Sequence, residues 1–409
     1  MPEAAAVTGL GLVTPAGIGL EATWRAVCRG GSTARHHPEL EAAPVPIACT
    51  VPGFDPRVHV PAPRPWRLDR STQFLLTAAH EAMAHAGLST ERWDPSRVAI
   101  VIGSAAGGVA TLESSHRKLL ESGPALLSPL TLTGFLPNMA AAAHLALGLG
   151  VTGPTLHVST ACASGATALS TACLLLACGA CDIALAGGTD AMATPLCAAA
   201  FARMGALSRR TGEPEAASRP FDKDRDGFVL GEGAAVLVLE RVVHARARSA
   251  PPLALVLGHA ATSDAHDPVA PDPRGRGLRS AALQALRQAD ATPEDVGHIN
   301  AHGTGTLLND RVEAGVIRDL FPVSAPSVTS VKGALGHTMG AAGAIEAALT
   351  VHTLTTGLVP PTANFHAPDG DTAGIDLVTG RPRRQDPKLA VSHSLGFGGH
   401  NAVVVLGAA

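Results

Sequence analysis

The sequence predicts an α/β protein built from two related halves, in which layers of sheet are covered by helices. Short apolar runs that suit strands alternate with longer helical stretches along the whole chain. The same pattern restarts after Pro251-Pro252. Each half also contains a short strand, a turn rich in Gly and Ala, and a long helix of small residues. We interpret this similarity as an internal duplication, with halves at residues 1–252 and 253–409.

The individual elements follow from local patterns of apolar residues, glycine and proline. The predicted strands are Ala4–Gly9, Arg97–Gly103, Thr155–Thr160, Asp182–Gly188, Ala234–Arg241, Leu253–Ala260, Val296–Ala301, Ser327–Val331, Leu389–Ser394 and Ala402–Leu406. The predicted helices are Leu20–Cys28, Leu68–Ala86, Ala140–Leu147, Ala163–Cys178, Leu278–Ala289 and Ala341–Leu354. Asp267–Gly277 is rich in Pro, Arg and Gly and is expected to form a loop near an entrance.

Composition argues against several classes of function. Hydrophobic residues make up 46% of the 409 residues and charged residues 16%, which suits a compact enzyme rather than a disordered chain. A net charge of −3 gives no general attraction to nucleic acid, and no unbroken apolar run is long enough to span a membrane. The N-terminus lacks a secretory signal, and the seven irregularly spaced cysteines are typical of reduced thiols in a cytoplasm.

No cofactor or metal motif is recognised. Gly103–Gly108 follows a predicted strand but lacks the GxGxxG spacing of a dinucleotide site. Cys178 and Cys181 have the CxxC spacing of a redox or zinc site, but the sequence has no second CxxC and no His pair at ligand spacing. We therefore favour buried small residues there and expect no cofactor or metal ion.

Cys162 lies in Val158-Ser-Thr-Ala-Cys-Ala-Ser-Gly165, where a predicted strand turns into a predicted helix. A thiol at this position is held on a rigid scaffold close to the unpaired N–H groups of a helix N-terminus. That environment lowers the pKa of a thiol and favours the reactive thiolate. The alternative is a buried structural cysteine, which is the more common role for a single Cys.

Three further motifs carry groups suited to catalysis. His302 lies in Asn-Ala-His-Gly-Thr-Gly-Thr after a predicted strand, where a side chain faces a crevice rather than a core. Lys332 and His337 lie on a glycine-flanked turn before a helix, and Phe397 lies between glycines. Taken singly, each of these motifs could be structural.

In combination, the motifs TACASG, HGTGT, KGALGHTMGAAG and GFGGHN resemble the β-ketoacyl-acyl-carrier-protein synthases of the thiolase superfamily. The run RPFDKDRDGFVLGEG from Arg219 to Gly233 is also similar, and the resemblance extends from Val7 to Gly407. The elongating branch, similar to ketoacyl synthase II, matches best. The resemblance implies a thiolase-like fold, in which two duplicated halves form a layered α-β-α-β-α sandwich.

The resemblance also implies a mechanism. Cys162 would take an acyl group from a carrier protein as a thioester. His302 and His337, neutral and with pKa values near the working pH, would promote decarboxylation of a malonyl extender and stabilise the enolate. The backbone N–H groups of Cys162 and Phe397 would form the oxyanion hole. Phe397 would also act as a gate that moves when the acyl chain enters.

Supporting roles are implied for neighbouring polar residues. Lys332 would orient the site through the carboxylate of Glu346, although a purely structural ion pair is an equal alternative. Asp310 and Glu313 would brace the His302 loop. The threonines that resemble pantetheine-binding hydroxyls are Thr304 and Thr306. The arginines expected to dock an acidic carrier protein are Arg64, Arg67, Arg70, Arg203, Arg209 and Arg210.

Two departures from the family pattern concern the acyl pocket. Ala106 and Leu395 replace bulkier residues, which implies room for a long, stiff or functionalised chain. Scarce Lys beside abundant Arg and Ala is typical of a GC-rich genome. Together with the altered acyl pocket, this favours a type II polyketide role. The protein would then act as a homodimer or with a homologous chain-length-factor subunit.

Three alternatives are housekeeping fatty-acid elongation, a non-catalytic chain-length factor and a degradative thiolase. The complete set of Cys162, His302 and His337 argues against a chain-length factor. A thiolase would need a second cysteine near the C-terminus, and no cysteine follows Cys197.

Overall fold

The computed structural model describes residues 4–137, 139–323 and 325–409, and we number its elements in chain order. Its strands are β1 Ala5–Thr14, β2 Gly17–Ile18, β3 Arg35–His36, β4 Ile47–Cys49, β5 Val98–Gly103, β6 Thr155–Val158, β7 Ile183–Ala191, β8 Leu230–Arg241, β9 Ala254–Ser263, β10 His298–Asn300, β11 Ser327–Thr329, β12 Leu358–Val359, β13 Asp376–Leu377, β14 Arg383–Arg384, β15 Leu389–Gly396 and β16 His400–Ala408. Its α-helices are α1 Leu20–Arg29, α2 Pro56–His59, α3 Arg70–His85, α4 Val109–Ser122, α5 Thr131–Phe135, α6 Ala141–Leu149, α7 Ser164–Ala177, α8 Pro195–Met204, α9 Val242–Ala247, α10 Arg276–Gln288, α11 Leu307–Leu320, α12 Lys332–Leu335 and α13 Ala342–Thr356.

Every predicted strand and helix has a counterpart in the structure, with shifted ends. The first strand is the clearest difference, because it was predicted to end at Gly9 and instead continues to Thr14. Its second part pairs with β8, from Leu10 opposite Leu237 to Val13 opposite Ala234. Several helices were not predicted, including α4, α8 and α11, although the buried Val312, Val316 and Leu320 of α11 do recur at helical spacing.

The two halves contain the same sheet. In the first half the strand order is β6-β5-β7-β8-β1, and in the second it is β11-β10-β15-β16-β9. In both, the first three strands of that order are parallel and the last two neighbours are antiparallel. Short antiparallel pairing of Ala5–Val7 with β9 joins the two sheets at their edges. This matching topology confirms the predicted duplication.

The helices lie in three layers around these two sheets. α7 and α13 are in the middle, where they share one apolar core with the inner faces of both sheets. α3 and α6 cover the outer face of the first sheet, and α10 and α11 cover the outer face of the second. The result is the predicted α-β-α-β-α sandwich. No helix within the described ranges is long and apolar enough to cross a membrane.

Glycines allow the two central helices to touch. A Cβ atom at Gly165 of α7 would lie 2.6 Å from the backbone nitrogen of Ala344 in α13 and 2.9 Å from the carbonyl oxygen of Gly340. A Cβ atom at Gly343 would lie 2.8 Å from the backbone nitrogen of Ala166. Because backbone atoms cannot move aside easily, only glycine fits this contact.

We expect Gly165→Ala to lower the free energy of unfolding by about 1–3 kcal/mol, because the added methyl group forces α7 away from α13. Urea denaturation measures this change. Gly148→Ala in α6 is the matched control, since no atom lies within 4 Å of a Cβ atom there. The control should gain up to about 1 kcal/mol from helix propensity. Equal stability of the two variants would contradict the tight contact.

Candidate active site

Cys162 lies on a tight turn between β6 and α7. The preceding residue, Ala161, has a φ of 50°, which non-glycine residues seldom adopt. Ser164 holds the turn: its hydroxyl donates to the carbonyl oxygen of Ala161 at 2.6 Å and accepts the N–H of Thr160 at 2.9 Å. The Cys162 side chain is thereby fixed at the N-terminal end of α7, as predicted, with only 7% of the residue exposed.

The resting thiol differs from the expectation. Burial raises the pKa of Cys162 to about 12, and this effect outweighs the charge of Lys332, which lowers it. The nearby backbone N–H of Phe397 also lowers the pKa. The prediction that the helix end would give a low pKa is therefore wrong, because removal from water dominates. The thiol is protonated near neutral pH.

His302 and His337 face each other beside this turn. Their ring centroids are 5.4 Å apart and the ring planes cross at 83°. Phe228 packs edge-on against His337, with centroids 5.1 Å apart. Burial lowers the pKa of both imidazoles well below the usual value, and the charge of Lys332 lowers both further. The expectation of a pKa near the working pH is therefore wrong. Both rings stay neutral well into the acid range.

Hydrogen-bond partners assign the tautomer of each ring. The ammonium of Lys332 lies 3.3 Å from Nδ1 of His302, and an ammonium can only donate. The backbone N–H of Met339 donates to Nδ1 of His337 at 3.3 Å. Both neutral rings therefore accept at Nδ1 and carry their proton on Nε2.

Lys332 is a buried cation that contacts His302 directly. Its ammonium donates to the carbonyl oxygen of His302 at 2.6 Å and to Oε1 of Glu346. Burial raises the pKa of Glu346 to about 7, although the charge of Lys332 opposes this shift. The ion pair was predicted, but the contact of Lys332 with the imidazole does not pass through the carboxylate as expected.

Two carboxylates of α11 hold the His302 loop. Glu313 accepts the N–H of His302 at 2.8 Å and that of the next residue at 2.7 Å. Asp310 accepts the N–H of Gly305 at 3.2 Å and that of Phe221 at 2.7 Å. All these bonds are to backbone groups, so the two carboxylates are placed to fix the loop rather than to touch a substrate.

A cavity of about 280 Å³ opens onto these groups. Residues 269–271, within the loop predicted to lie near an entrance, line part of it. The hydroxyls of Thr304 and Thr306 lie 2.9 Å apart on its wall. The predicted site residues in its lining are Cys162, His302, His337, Thr304, Thr306, Leu395 and Phe397. The cavity thus brings together residues from both halves of the chain.

Ala106 is placed differently. It is absent from the cavity lining and packs instead against an apolar cluster that includes Cys162, Met192 and Phe228. Ala106 is therefore not part of the cavity wall that carries Leu395.

The predicted docking arginines do not form one group. Arg70 is committed to a forked ion pair with the buried Glu232, at 2.8 and 2.5 Å, so the prediction that it docks a carrier protein is corrected. Arg210 is half-buried and donates to the carbonyl oxygen of Asp224. The remaining members are exposed: Arg64, Arg67, Arg203 and Arg209. Of these, Arg203 adjoins Met204, which lines the cavity.

Sequence reasoning missed Asp190 and Met339. Asp190 is buried at the end of β7, where it accepts the N–H of Gly340. Met339 supplies the N–H that fixes His337. An acidic residue after Gly187-Gly188 at a strand end was an available signal, but the Met339 contact involves only a backbone atom and leaves no mark on residue type.

Comparison with known proteins agrees with this geometry. The model of the β-ketoacyl synthase N-terminal domain matches residues 3–245, and that of the C-terminal domain matches residues 253–366. The chain belongs to the β-ketoacyl synthase family. The resemblance read from the motifs and the prediction of a ketoacyl synthase, an acyltransferase, are therefore confirmed.

Individual relatives cover almost the whole chain. The 3-oxoacyl-[acyl-carrier-protein] synthase 2 of Coxiella burnetii is 37% identical, over 98% of this chain and 97% of its own. The solved ishigamide ketosynthase/chain length factor is 32% identical with a TM-score of 0.93. A type II polyketide ketosynthase, solved with its acyl-carrier protein and bound to a hexaketide, is 30% identical with a TM-score of 0.92. Both solved structures and this chain are covered completely, which confirms the thiolase-like fold.

Lys332→Met tests the electrostatics of the site. Because the Lys332 charge lowers the pKa of Cys162, we expect the variant to raise that pKa further and to slow alkylation by iodoacetamide at pH 8. Peptide mass after digestion, measured against pH, gives the rate at Cys162. Cys178, which is exposed rather than buried as predicted, is the internal reference. Lys388→Met, at an exposed ion pair, is the control. An unchanged alkylation profile in Lys332→Met would contradict the coupling.

Proposed function

We propose that this ketoacyl synthase joins an acyl chain held on Cys162 to a malonyl unit by decarboxylative condensation. The observation that carries the proposal is the convergence of one thiol and two Nε2–H donors on a single cavity. The substrates would arrive on the phosphopantetheine of an acyl carrier protein, so the enzyme needs no cofactor or metal of its own.

The first half-reaction transfers the acyl group. The Cys162 sulfur attacks the carbonyl carbon of the acyl thioester, and the pantetheine sulfur leaves with the proton that the thiol gives up. The oxyanion of the intermediate accepts hydrogen bonds from the N–H groups of Cys162 and Phe397. Support comes from the position of Phe397, whose backbone N–H lies close enough to Cys162 to lower the pKa of the thiol. Movement of the Phe397 ring would admit the chain.

The second half-reaction forms the new carbon–carbon bond. The malonyl thioester oxygen accepts hydrogen bonds from Nε2–H of His302 and of His337. Loss of carbon dioxide leaves its electron pair on the resulting enolate, which the two donors stabilise. The enolate carbon attacks the Cys162 thioester, the carbon–sulfur bond breaks, and the released thiolate takes up a proton. Lys332 keeps His302 neutral and oriented throughout, and Glu346 pairs with the Lys332 ammonium.

Binding of the carrier would use two surfaces. Thr304 and Thr306 lie on the cavity wall where they can hydrogen-bond pantetheine. The exposed arginines would steer an acidic carrier protein toward the entrance. The reaction would take place in the cytoplasm, and the assembly would be a homodimer or a pair with a chain-length-factor homologue.

For the pathway we propose type II polyketide synthesis. Leu395 lies on the cavity wall and Ala106 packs in the apolar cluster that includes Cys162, and neither carries the bulky side chain that relatives often have there. The similarity to the solved ishigamide ketosynthase/chain length factor and to the type II polyketide ketosynthase adds support. Fatty-acid elongation is the alternative, supported by the 37% identity of the Coxiella enzyme.

His302→Asn and His337→Asn separate the two half-reactions. We expect each to lower the decarboxylation rate of malonyl carrier protein by about 10²–10³-fold, because one enolate donor is misplaced. Acylation of Cys162, followed by intact mass, should continue. His116→Asn on α4 is the control. Equal loss of acylation and decarboxylation would contradict the assigned roles, and loss of neither would reject the proposed function.

Ala106→Phe tests the pathway. A phenyl ring beside the Cys162 cluster should restrict acylation to short chains, whereas the wild type should accept long and oxygenated chains. A panel of acyl carrier proteins read by intact mass gives the profile. Leu147→Phe, at a side chain that is 78% exposed, is the control. A wild type that accepts saturated chains alone would favour fatty-acid elongation.

A further inference from the structure

One buried carboxylate beside the site has no role in the chemistry described above. Asp190 is the penultimate residue of β7 and is 0% exposed. Its Oδ1 accepts the hydroxyl of Ser104 at 2.6 Å and the N–H of Ala106 at 3.4 Å, and its Oδ2 accepts the N–H groups of Ala105 at 2.8 Å and Gly340 at 2.6 Å. In the described part of the chain these donors are neutral, so the carboxylate is held by hydrogen bonds rather than by an ion pair.

The donors come from the two halves of the protein. Ser104 and Ala105 follow β5 in the first half, and Gly340 belongs to the His337 turn of the second half. A Cβ atom at residue 340 would lie 2.5 Å from Oδ2 of Asp190 and 2.5 Å from the nitrogen of Ala105. The glycine therefore allows the turn to approach the carboxylate closely, and a larger residue would separate them.

Activation of the thiol does not explain this carboxylate. Its negative charge contributes to raising the pKa of Cys162, so it disfavours the thiolate. The carboxylate therefore does not act by activating the thiol.

The backbone next to Asp190 connects the carboxylate to His337. Met339 has a φ of 52°, a left-handed conformation that a side chain disfavours and that the surroundings must impose. On one side of Met339, its own N–H is aimed at Nδ1 of His337 at 3.3 Å. On the other side, the N–H of Gly340 is anchored on Asp190. Both bonds depend on the same turn.

We propose that Asp190 is a positioning residue that fixes the turn at Met339–Gly340 and so keeps the proton of His337 on Nε2. The proposal rests on the function proposed above, in which that Nε2–H supports decarboxylation. It assigns Asp190 to the second half-reaction alone, because the acyl-transfer step uses N–H groups of Cys162 and Phe397.

Asp190→Asn tests the proposal, since the amide keeps the size of the side chain but places an NH₂ group against an N–H donor. We expect kcat for malonyl decarboxylation to fall about 10²-fold with little change in KM, as for a misplaced catalytic group. Cys162 acylation should proceed at the wild-type rate. In protein labelled with ¹⁵N-histidine, the His337 ring nitrogens should change from the Nε2–H pattern to a mixture of tautomers.

Asp69→Asn is the matched control. Asp69 is 3% exposed and also accepts four hydrogen bonds, from the N–H and hydroxyl groups of Ser71 and Thr111, but it touches neither histidine turn. It should lose stability without changing the His337 spectrum or the decarboxylation rate. If Asp190→Asn does not fold, Ser104→Ala removes one donor to Asp190 and should cause a smaller loss of the same kind.

Three results would overturn the proposal: an unchanged His337 spectrum in Asp190→Asn, decarboxylation at the wild-type rate in both Asp190→Asn and Ser104→Ala, or equal losses of acylation and decarboxylation. A wild-type protein that does not decarboxylate malonyl carrier protein would instead reject the proposed function. The His337 spectrum would still test the role of Asp190 in that case.

Discussion

The site depends on the close approach of α7 and α13 between the two sheets. Cys162 precedes α7 and His337 precedes α13, so the groups meet only if the first turns of these helices touch. Gly165 and Gly343 make that contact possible, because a side chain at either position would meet backbone atoms. The duplication therefore does more than repeat a fold unit: it places the thiol turn of one half against an imidazole turn of the other.

Burial then sets the chemical state of each group. In water a thiol and an imidazole titrate within about two units of neutral pH, but here exclusion of water moves them apart. The thiol keeps its proton because its pKa is raised, and the imidazoles remain neutral because theirs are lowered. Lys332 supplies a fixed positive charge that favours the thiolate and disfavours the imidazolium. One buried cation thus biases Cys162, His302 and His337 in the directions that the reaction requires.

The sequence predicted the layers, the duplication and the residues that converge on the cavity, because these leave clear marks in residue type and spacing. It did not predict their electrostatic state. The pKa of Cys162 was expected to be low from a helix terminus next to it, but it is governed by packing from distant parts of the chain. Arg70 was expected to dock a carrier protein, but it pairs with Glu232, which lies far along the sequence. Asp190 was missed for the same reason, since its donors come from both halves.

Two neutral donors are better suited to an enolate in this cavity than one cation would be. A permanently charged imidazolium would need a counterion in this buried site, at a large desolvation cost. Burying a neutral Nε2–H group costs less free energy, and in a buried site a fixed dipole still stabilises developing negative charge strongly. The arrangement works only if each ring points the correct nitrogen inward. The Nδ1 atom of each ring is therefore held in place as well. Lys332 contacts it at His302, and the Met339 N–H donates to it at His337.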